Sequence, residues 1–185
     1  MDILRYTDSA AIRKAIAAIE NPREIRVLFV CLGNICRSPA AEGLMLDVLA
    51  RHADTARWVI DSAGTGNYHV GDLPDSRMRA HARRRGIELT HRCRQVHESD
   101  FFDFDIIIGM DHSNLSRLRA IAPSVEAEGK ILPMAAFFGA YSRFDHVPDP
   151  YYDGAEGFET VLDILTEATE NLYDTITAHL PDAQS

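Results

Sequence analysis

Cysteine is scarce in this chain of 185 residues, and the three present, Cys31, Cys36 and Cys93, make an odd number. That argues against a disulfide-stapled secreted fold and for a reducing compartment. No stretch approaches the ~18 apolar residues of a membrane span. The opening Met1-Asp2-Ile3-Leu4-Arg5 lacks a basic region followed by an apolar core, so no secretory leader is expected. A cytoplasmic protein without a membrane partner is the expectation. Positive charge is also in deficit, with Lys+Arg 19 against Asp+Glu 28 and a net charge of −9, which argues against nucleic acid as a partner. There is no internal repeat and no low-complexity segment. What remains is ordinary for one globular domain, 46% hydrophobic and 25% charged residues in a length that buries a substantial core.

Against that background one segment carries chemistry. Val27-Leu28-Phe29-Val30 reads as a buried strand and runs into Cys31; a short loop then leads to Arg37, and a helix opens near Ser38 with Pro39 in its first turn. A cysteine attacks only as thiolate, and a free thiol ionises near about 8.5, so a nucleophile here needs positive surroundings. Loop amides and a helix N-terminus supply partial positive charge. Arg37 adds a full charge on a planar fork that can bind two phosphoryl oxygens. Gly33 permits tight curvature, and Asn34 is among the few non-glycine residues that tolerate a left-handed backbone. In an acidic protein, a phosphate site must be locally positive, and this loop is where it would be. The one other basic concentration, Arg77, Arg79, Arg83, Arg84, Arg85, Arg92 and Arg94, reads as a solvated face.

Cys31-Leu32-Gly33-Asn34-Ile35-Cys36-Arg37-Ser38, after a strand and before a helix, resembles the Cys-x5-Arg-Ser signature of the low molecular weight protein tyrosine phosphatases. The resemblance covers roughly residues 25 to 179. It implies that Cys31 is the nucleophile, that residues 32–38 cradle the phosphate, and that neither metal nor cofactor takes part. A tyrosine-phosphorylated protein would be the substrate, and phosphate or another oxyanion the product or inhibitor.

The rest of the chain reads as alternating strands and helices. Ala11, Ile12, Ala15, Ile16 and Ile19 fall at helical spacing over residues 9 to 20, with Thr7, Asp8 or Ser9 available as a cap. Trp58 to Ser62 is a second strand, ending in Ala63-Gly64-Thr65-Gly66, a flexible loop. Residues 75 to 85 read as a helix stopped by Gly86. Phe104 to Gly109 is a third strand, Asp111 caps a helix to about Ala122, Lys130 to Leu132 is a short fourth strand, and a long helix spans about Ala155 to Leu180. The pattern predicts an α/β fold of three layers, a four-stranded parallel twisted sheet with helices on both faces and an added N-terminal helix. Residues 1–24 are expected as that extension and residues 25–185 as the catalytic domain. Ligands bind such sheets at the carboxyl ends of the strands, where the Cys31 and Ser62 loops both lie.

Expelling a phenolate needs a proton, and the most loop-like stretch, residues 145–154, offers Asp149. Pro150 holds Asp149 extended, and Tyr151 and Tyr152 provide aromatic wall beside it. Asp149-Pro150-Tyr151-Tyr152-Asp153 resembles the family's general-acid loop, which makes Asp149 the implied proton donor. By themselves Ser62 reads equally as a strand-end turn residue and His91 as a surface histidine; the resemblance assigns both to a hydrogen-bonded shell that fixes Asn34, and has Ser38 donate to the Cys31 sulfur. Tyr68 lies where the family places an aromatic flanking the substrate ring. Cys36 could form a reversible disulfide with Cys31 or serve as a small packing residue. Two other activities share this scaffold. Arsenate reductases need a pair of resolving cysteines where this chain has Cys93 alone, and protein arginine phosphatases typically carry Thr at the position of Ile35.

Overall fold

The structure, a computed structural model, describes residues 10–139 and 143–180. Four strands, β1 (Ile25–Cys31), β2 (Trp58–Gly64), β3 (Ile106–Gly109) and β4 (Ile131–Pro133), form one sheet in the order β2-β1-β3-β4. Every pairing is parallel, with Cys31 beside Gly64 and Val30 beside Gly109 at the carboxyl ends. Parallel strands need crossovers, and α2 (Arg37–Arg51), α3 (Ser76–Arg83), α4 (Asp100–Asp103), α5 (His112–Ile121) and α6 (Val125–Glu128) lie in them, while α1 (Ala10–Ala17) precedes β1 and α7 (Ala155–His179) follows β4. The expected four-stranded α/β architecture is therefore the observed one.

Alternation along β1 divides the core into two layers. Val27, Phe29 and Cys31 face a cluster that takes in Met45 and Leu49 of α2, Leu162 and Leu165 of α7, and Ile12 and Ile16 of α1. Leu28 and Val30 face Phe101, Leu115 and Leu118 on the opposite side. Helix α1 thus shares the main core and packs against α7. Its capping candidates Thr7, Asp8 and Ser9 lie outside the described residues.

The strands outrun the sequence expectation at several ends. Most consequential is β2, which continues through Ala63 and Gly64 where a flexible loop was expected. The Gly64 N–H donates to the Arg94 carbonyl at 2.9 Å, Thr65 N–H to the Cys31 carbonyl at 2.9 Å, and Gly66 N–H to the Leu32 carbonyl at 2.9 Å. Such backbone pairing holds the segment against the Cys31 loop. Helix α3 is shorter than expected and ends at Arg83; Gly86, at φ 81°, then turns the chain away, with the Ile87 N–H donating to the Ala82 carbonyl at 3.0 Å. Helices α4 and α6 are single turns that the periodicity did not announce.

The strand order places the reversal of winding between β1 and β3, the position where open parallel sheets leave a crevice at their carboxyl edge. Cys31 ends one of these strands, and Met110 and Asp111 follow the other.

Candidate active site

The loop from Leu32 to Cys36 closes between β1 and α2, so the N-terminal end of a 15-residue helix points into the crevice. Its bend is made at Asn34, a buried residue at φ 57°. Gly33 does not take a left-handed conformation. Instead, a Cβ at Gly33 would lie 3.3 Å from the ring of His69, and one at Gly64 would lie 2.7 Å from the Leu32 carbonyl oxygen. The backbone approach demands glycine at position 64, whereas at position 33 the His69 ring would have to give by a few tenths of an ångström.

The Asn34 amide is fully engaged. Its Nδ2 donates to Ser38 Oγ and to Ser62 Oγ, each at 2.9 Å. Its Oδ1 lies 2.9 Å from His91 Nε2 and accepts from the Arg94 backbone N–H at 2.9 Å. Because a backbone N–H can only donate, the amide orientation is settled, and His91 must carry its proton on Nε2. Ser62 donates to Glu42 at 2.6 Å, and His91 Nδ1 faces Glu42 and Asp61 at 3.3 and 3.4 Å. Ser38 lies 3.0 Å from the Cys31 sulfur and 3.2 Å from the Ala63 carbonyl. A hydroxyl has one proton, so Ser38 can donate to the carbonyl or turn that proton to the sulfur.

Arg37 is buried, and its guanidinium is aimed by three oxygens. Nη1 donates to Asp111 at 2.6 Å and to the Val147 carbonyl at 3.1 Å, and Nη2 reaches Asp149 at 3.4 Å. Burial works against the charge, but Cys31, Asp111 and Asp149 outweigh it and hold the guanidinium ionised. Asp111 fills its expected role as a cap, accepting from the Asn114 N–H at 2.8 Å, and its other oxygen orients Arg37. Sequence reasoning missed that second role.

A cleft of about 380 Å³ is lined by Cys31, Leu32, Gly33, Ile35, Cys36, Arg37, Tyr68, His69, Asp149, Tyr151 and Tyr152. It gathers the nucleophile, arginine, acid and aromatic candidates from three distant stretches. The side chains of Asn34, Ser38, Ser62 and His91 do not line the cleft; they support the loop from behind, and Ser38 also meets the Cys31 sulfur. Tyr152 is almost wholly exposed, and its ring meets that of Tyr151 edge-on with centroids 4.9 Å apart. His69, which the sequence did not single out, joins the wall, its Nδ1 3.5 Å from Asp72. The other two thiols are buried and held protonated. Burial, with Asp75 nearby, pushes Cys36 far up, and burial with Asp72 pushes Cys93 up to about 11. Cys93 donates its S–H to the Asn34 carbonyl at 2.8 Å.

A cysteine and an arginine on one loop at the crevice of a parallel α/β sheet, faced by a carboxylate, mark the class of enzymes that work on oxyanions with a thiol. Comparison with known proteins narrows that class. Residues 26–182 match the family described as low molecular weight phosphotyrosine protein phosphatase. Low molecular weight phosphotyrosine protein phosphatase 1 of Drosophila melanogaster is 44% identical over 136 residues, 73% of this chain and 86% of that protein. The low molecular weight protein-tyrosine-phosphatase YfkJ of Bacillus subtilis is 40% identical over 153 residues, 82% of this chain and 96% of its own length. A crystal structure of protein tyrosine phosphatase from Entamoeba histolytica, with Hepes in its active site, superposes with a TM-score of 0.81 at 44% identity, covering 84% of this chain and 98% of that one. The chain belongs to the low molecular weight phosphotyrosine protein phosphatase family, and its activity is that of a protein-tyrosine-phosphatase.

Proposed function

We propose that the chain hydrolyses phosphotyrosine in proteins in two steps, without a metal ion, with Cys31 as nucleophile, Arg37 and the loop amides as the phosphate cradle, and Asp149 as general acid and base. The Cys31 thiolate attacks phosphorus as the phosphorus–phenol bond breaks. Arg37 and the amides of residues 32–38 stabilise the equatorial oxygens, and Asp149 gives its proton to the departing phenolate. Asp149, now a carboxylate, takes a proton from water as that water attacks phosphorus, the P–S bond breaks, and phosphate leaves with the thiolate restored. The observation that carries this reading is the convergence of Cys31, Arg37 and Asp149 on one cleft, with the fork of Arg37 held by Asp111 and Val147 so that its remaining edge faces Asp149. An incoming phosphoryl group would take that edge from Asp149 and free the carboxyl for the leaving oxygen.

Ile35, Tyr68 and Tyr151 on the cleft wall support an aryl substrate. Ser62 and His91 act through Asn34 to hold the loop. We assign residues 25–185 to the catalytic domain and residues 1–24 to an added segment. Among the described residues no helix is long and apolar enough to cross a membrane, and all three cysteines are free, which supports a reducing compartment.

The test is hydrolysis of an aryl phosphate in chelator across pH, with Cys31→Ser and Asp149→Ala beside the wild type. The expected result is a bell-shaped kcat/KM profile on the acidic side of neutrality, abolished by the first change and reduced about 10²-fold or more by the second. Turnover that needs metal, or that survives in Cys31→Ser, would overturn the reading.

A further inference from the structure

Arg77, in the first turn of α3, lines no part of the cleft, yet its side chain touches both of the loops that do the chemistry or their immediate supports. Its Nε and Nη2 form a two-pronged pair with Asp75, at 3.1 and 2.9 Å. The same Nη2 donates to the Tyr151 carbonyl at 3.1 Å. The guanidinium carbon lies 5.3 Å from the centre of the Tyr151 ring and 4.9 Å from that of Phe158, on the first turns of α7. Planar arginine suits this arrangement, because a fork and a flat face can be used together.

Each end of this contact continues into the site. The Asp75 N–H donates to the Ile35 carbonyl of the phosphate loop at 2.8 Å. Asp75 itself is nearly covered, and its carboxylate also caps α3 through the Arg77 and Met78 amides, at 2.8 and 3.4 Å. Burial alone would raise the Asp75 carboxyl, but Arg77 and those two amides hold it below the usual range, so the pair stays ionised at neutral pH. At the other end, the Tyr151 N–H donates to Asp149 Oδ1 at 3.1 Å. One residue, Tyr151, therefore gives its carbonyl and ring to Arg77 and its amide to the acid.

We infer that Asp75 and Arg77 form a bridge between the phosphate loop and the acid loop, and that Arg77 is a positioning residue that sets where Asp149 stands relative to the leaving oxygen. This rests on the reading of Asp149 as general acid. Loss of the bridge would leave the phosphate loop intact, since Asn34, Ser38, Ser62 and His91 hold it from the other side. Proton delivery would suffer, and it would suffer most for phenols that are poor leaving groups.

The experiment is kcat/KM for aryl phosphates of graded leaving-group pKa, from 2,4-dinitrophenyl through 4-nitrophenyl to phenyl phosphate, together with inhibition by vanadate. It is run on the wild type, Arg77→Met and Asp149→Asn, each confirmed as folded by thermal denaturation. For Arg77→Met the phenyl substrate is expected to lose about tenfold or more relative to the dinitrophenyl one, a part of the ~10²–10⁴-fold that a placed acid contributes, with vanadate inhibition little changed. Asp149→Asn is expected to show a steeper dependence of the same sign. A flat series for Asp149→Asn overturns the acid assignment itself. A steep series for Asp149→Asn beside a flat one for Arg77→Met overturns the bridge, and so does a uniform loss in Arg77→Met accompanied by weaker vanadate inhibition. Arg77→Lys, which keeps the charge and loses the fork, answers the same question if Arg77→Met does not fold.

Discussion

Asn34 concentrates more of the site than any residue that touches the cleft. It bends the phosphate loop at φ 57° and satisfies two hydroxyls, an imidazole and a backbone amide with one side chain. The two duties can be separated. Asn34→Ala removes the amide and keeps a Cβ in the left-handed region, whereas Asn34→Gly removes the amide and relaxes the backbone. Leaving buried donors unpaired costs about 1–3 kcal/mol each, so Asn34→Ala is expected to lower unfolding stability by more than about 2 kcal/mol. Asn34→Gly should recover about 0.5–1 kcal/mol of that, the left-handed strain less the extra freedom of an unfolded glycine. Urea unfolding of the two variants measures the difference. Equal losses would mean that the strain at this dihedral is no larger than the extra freedom of an unfolded glycine, and Asn34→Gly less stable than Asn34→Ala would mean that the dihedral carries no cost.

At the scale of elements, α1 poses the question the family resemblance leaves open, because the matched region begins only at residue 26. Ile12, Ala15, Ile16 and Ile19 are all buried in the main core, so the helix contributes apolar surface to the body instead of offering it to a partner. Ile16 is 1% exposed, and Ile16→Ala is expected to cost about 2–5 kcal/mol in urea unfolding. Turnover of an aryl phosphate per folded molecule should be unchanged. A loss under about 1 kcal/mol would instead describe an appendage that the body does not need. The i, i+3, i+4 spacing made this helix legible in the sequence, and the apolar runs of β1 and β3 were equally plain, because both signals are local. What stayed hidden depends on distant partners. Residues 63–66, rich in glycine, read as flexible because their backbone bonds go to Cys31, Leu32 and the neighbourhood of Arg94. Asp111 was legible as a cap three residues ahead of Asn114, but its bond to Arg37 spans 74 positions. Nothing local marks His69 or Glu42, whose meaning comes from the loop each one meets. Cys31, Arg37 and Asp149, which the structure brings to one cleft, could be singled out because motif spacing preserves the order of the parts even where the contacts are remote.

Across the whole molecule, the deficit of positive charge turns into pairing. Four arginines of the basic stretch after residue 76 are matched to acids: Arg77 with Asp75, Arg83 with Glu88, Arg85 with Glu159 and Asp163, and Arg94 with Asp61 and Asp100. The exposed ones, such as Arg83 with Glu88, contribute about 0–1 kcal/mol each, so the pH dependence of global stability should be governed by buried groups. On the alkaline side these are thiols. Cys93 rises to about 11 in the folded protein through burial, Asp72 and Cys31, and Cys36 is driven further up, burial again coming first. An unfolded thiol ionises near about 8.5. Above that pH the unfolded chain releases a proton that the folded chain keeps, ν_U falls below ν_N, and stability drops as pH rises. The contribution of Cys93 is thus fully present below about 8.5 and lost by about 11. Its slope approaches 1.4 kcal/mol per pH unit and its total is at most about 3.4 kcal/mol. Urea unfolding at intervals from pH 7 to 10.5, under reducing conditions, is expected to show declining stability in the wild type and a visibly shallower decline in Cys93→Ser. The absolute stability of that variant is a separate matter, since serine changes both the packing and the bond to the Asn34 carbonyl. The slope isolates the proton, and identical slopes in the two proteins would mean that Cys93 ionises as readily folded as unfolded.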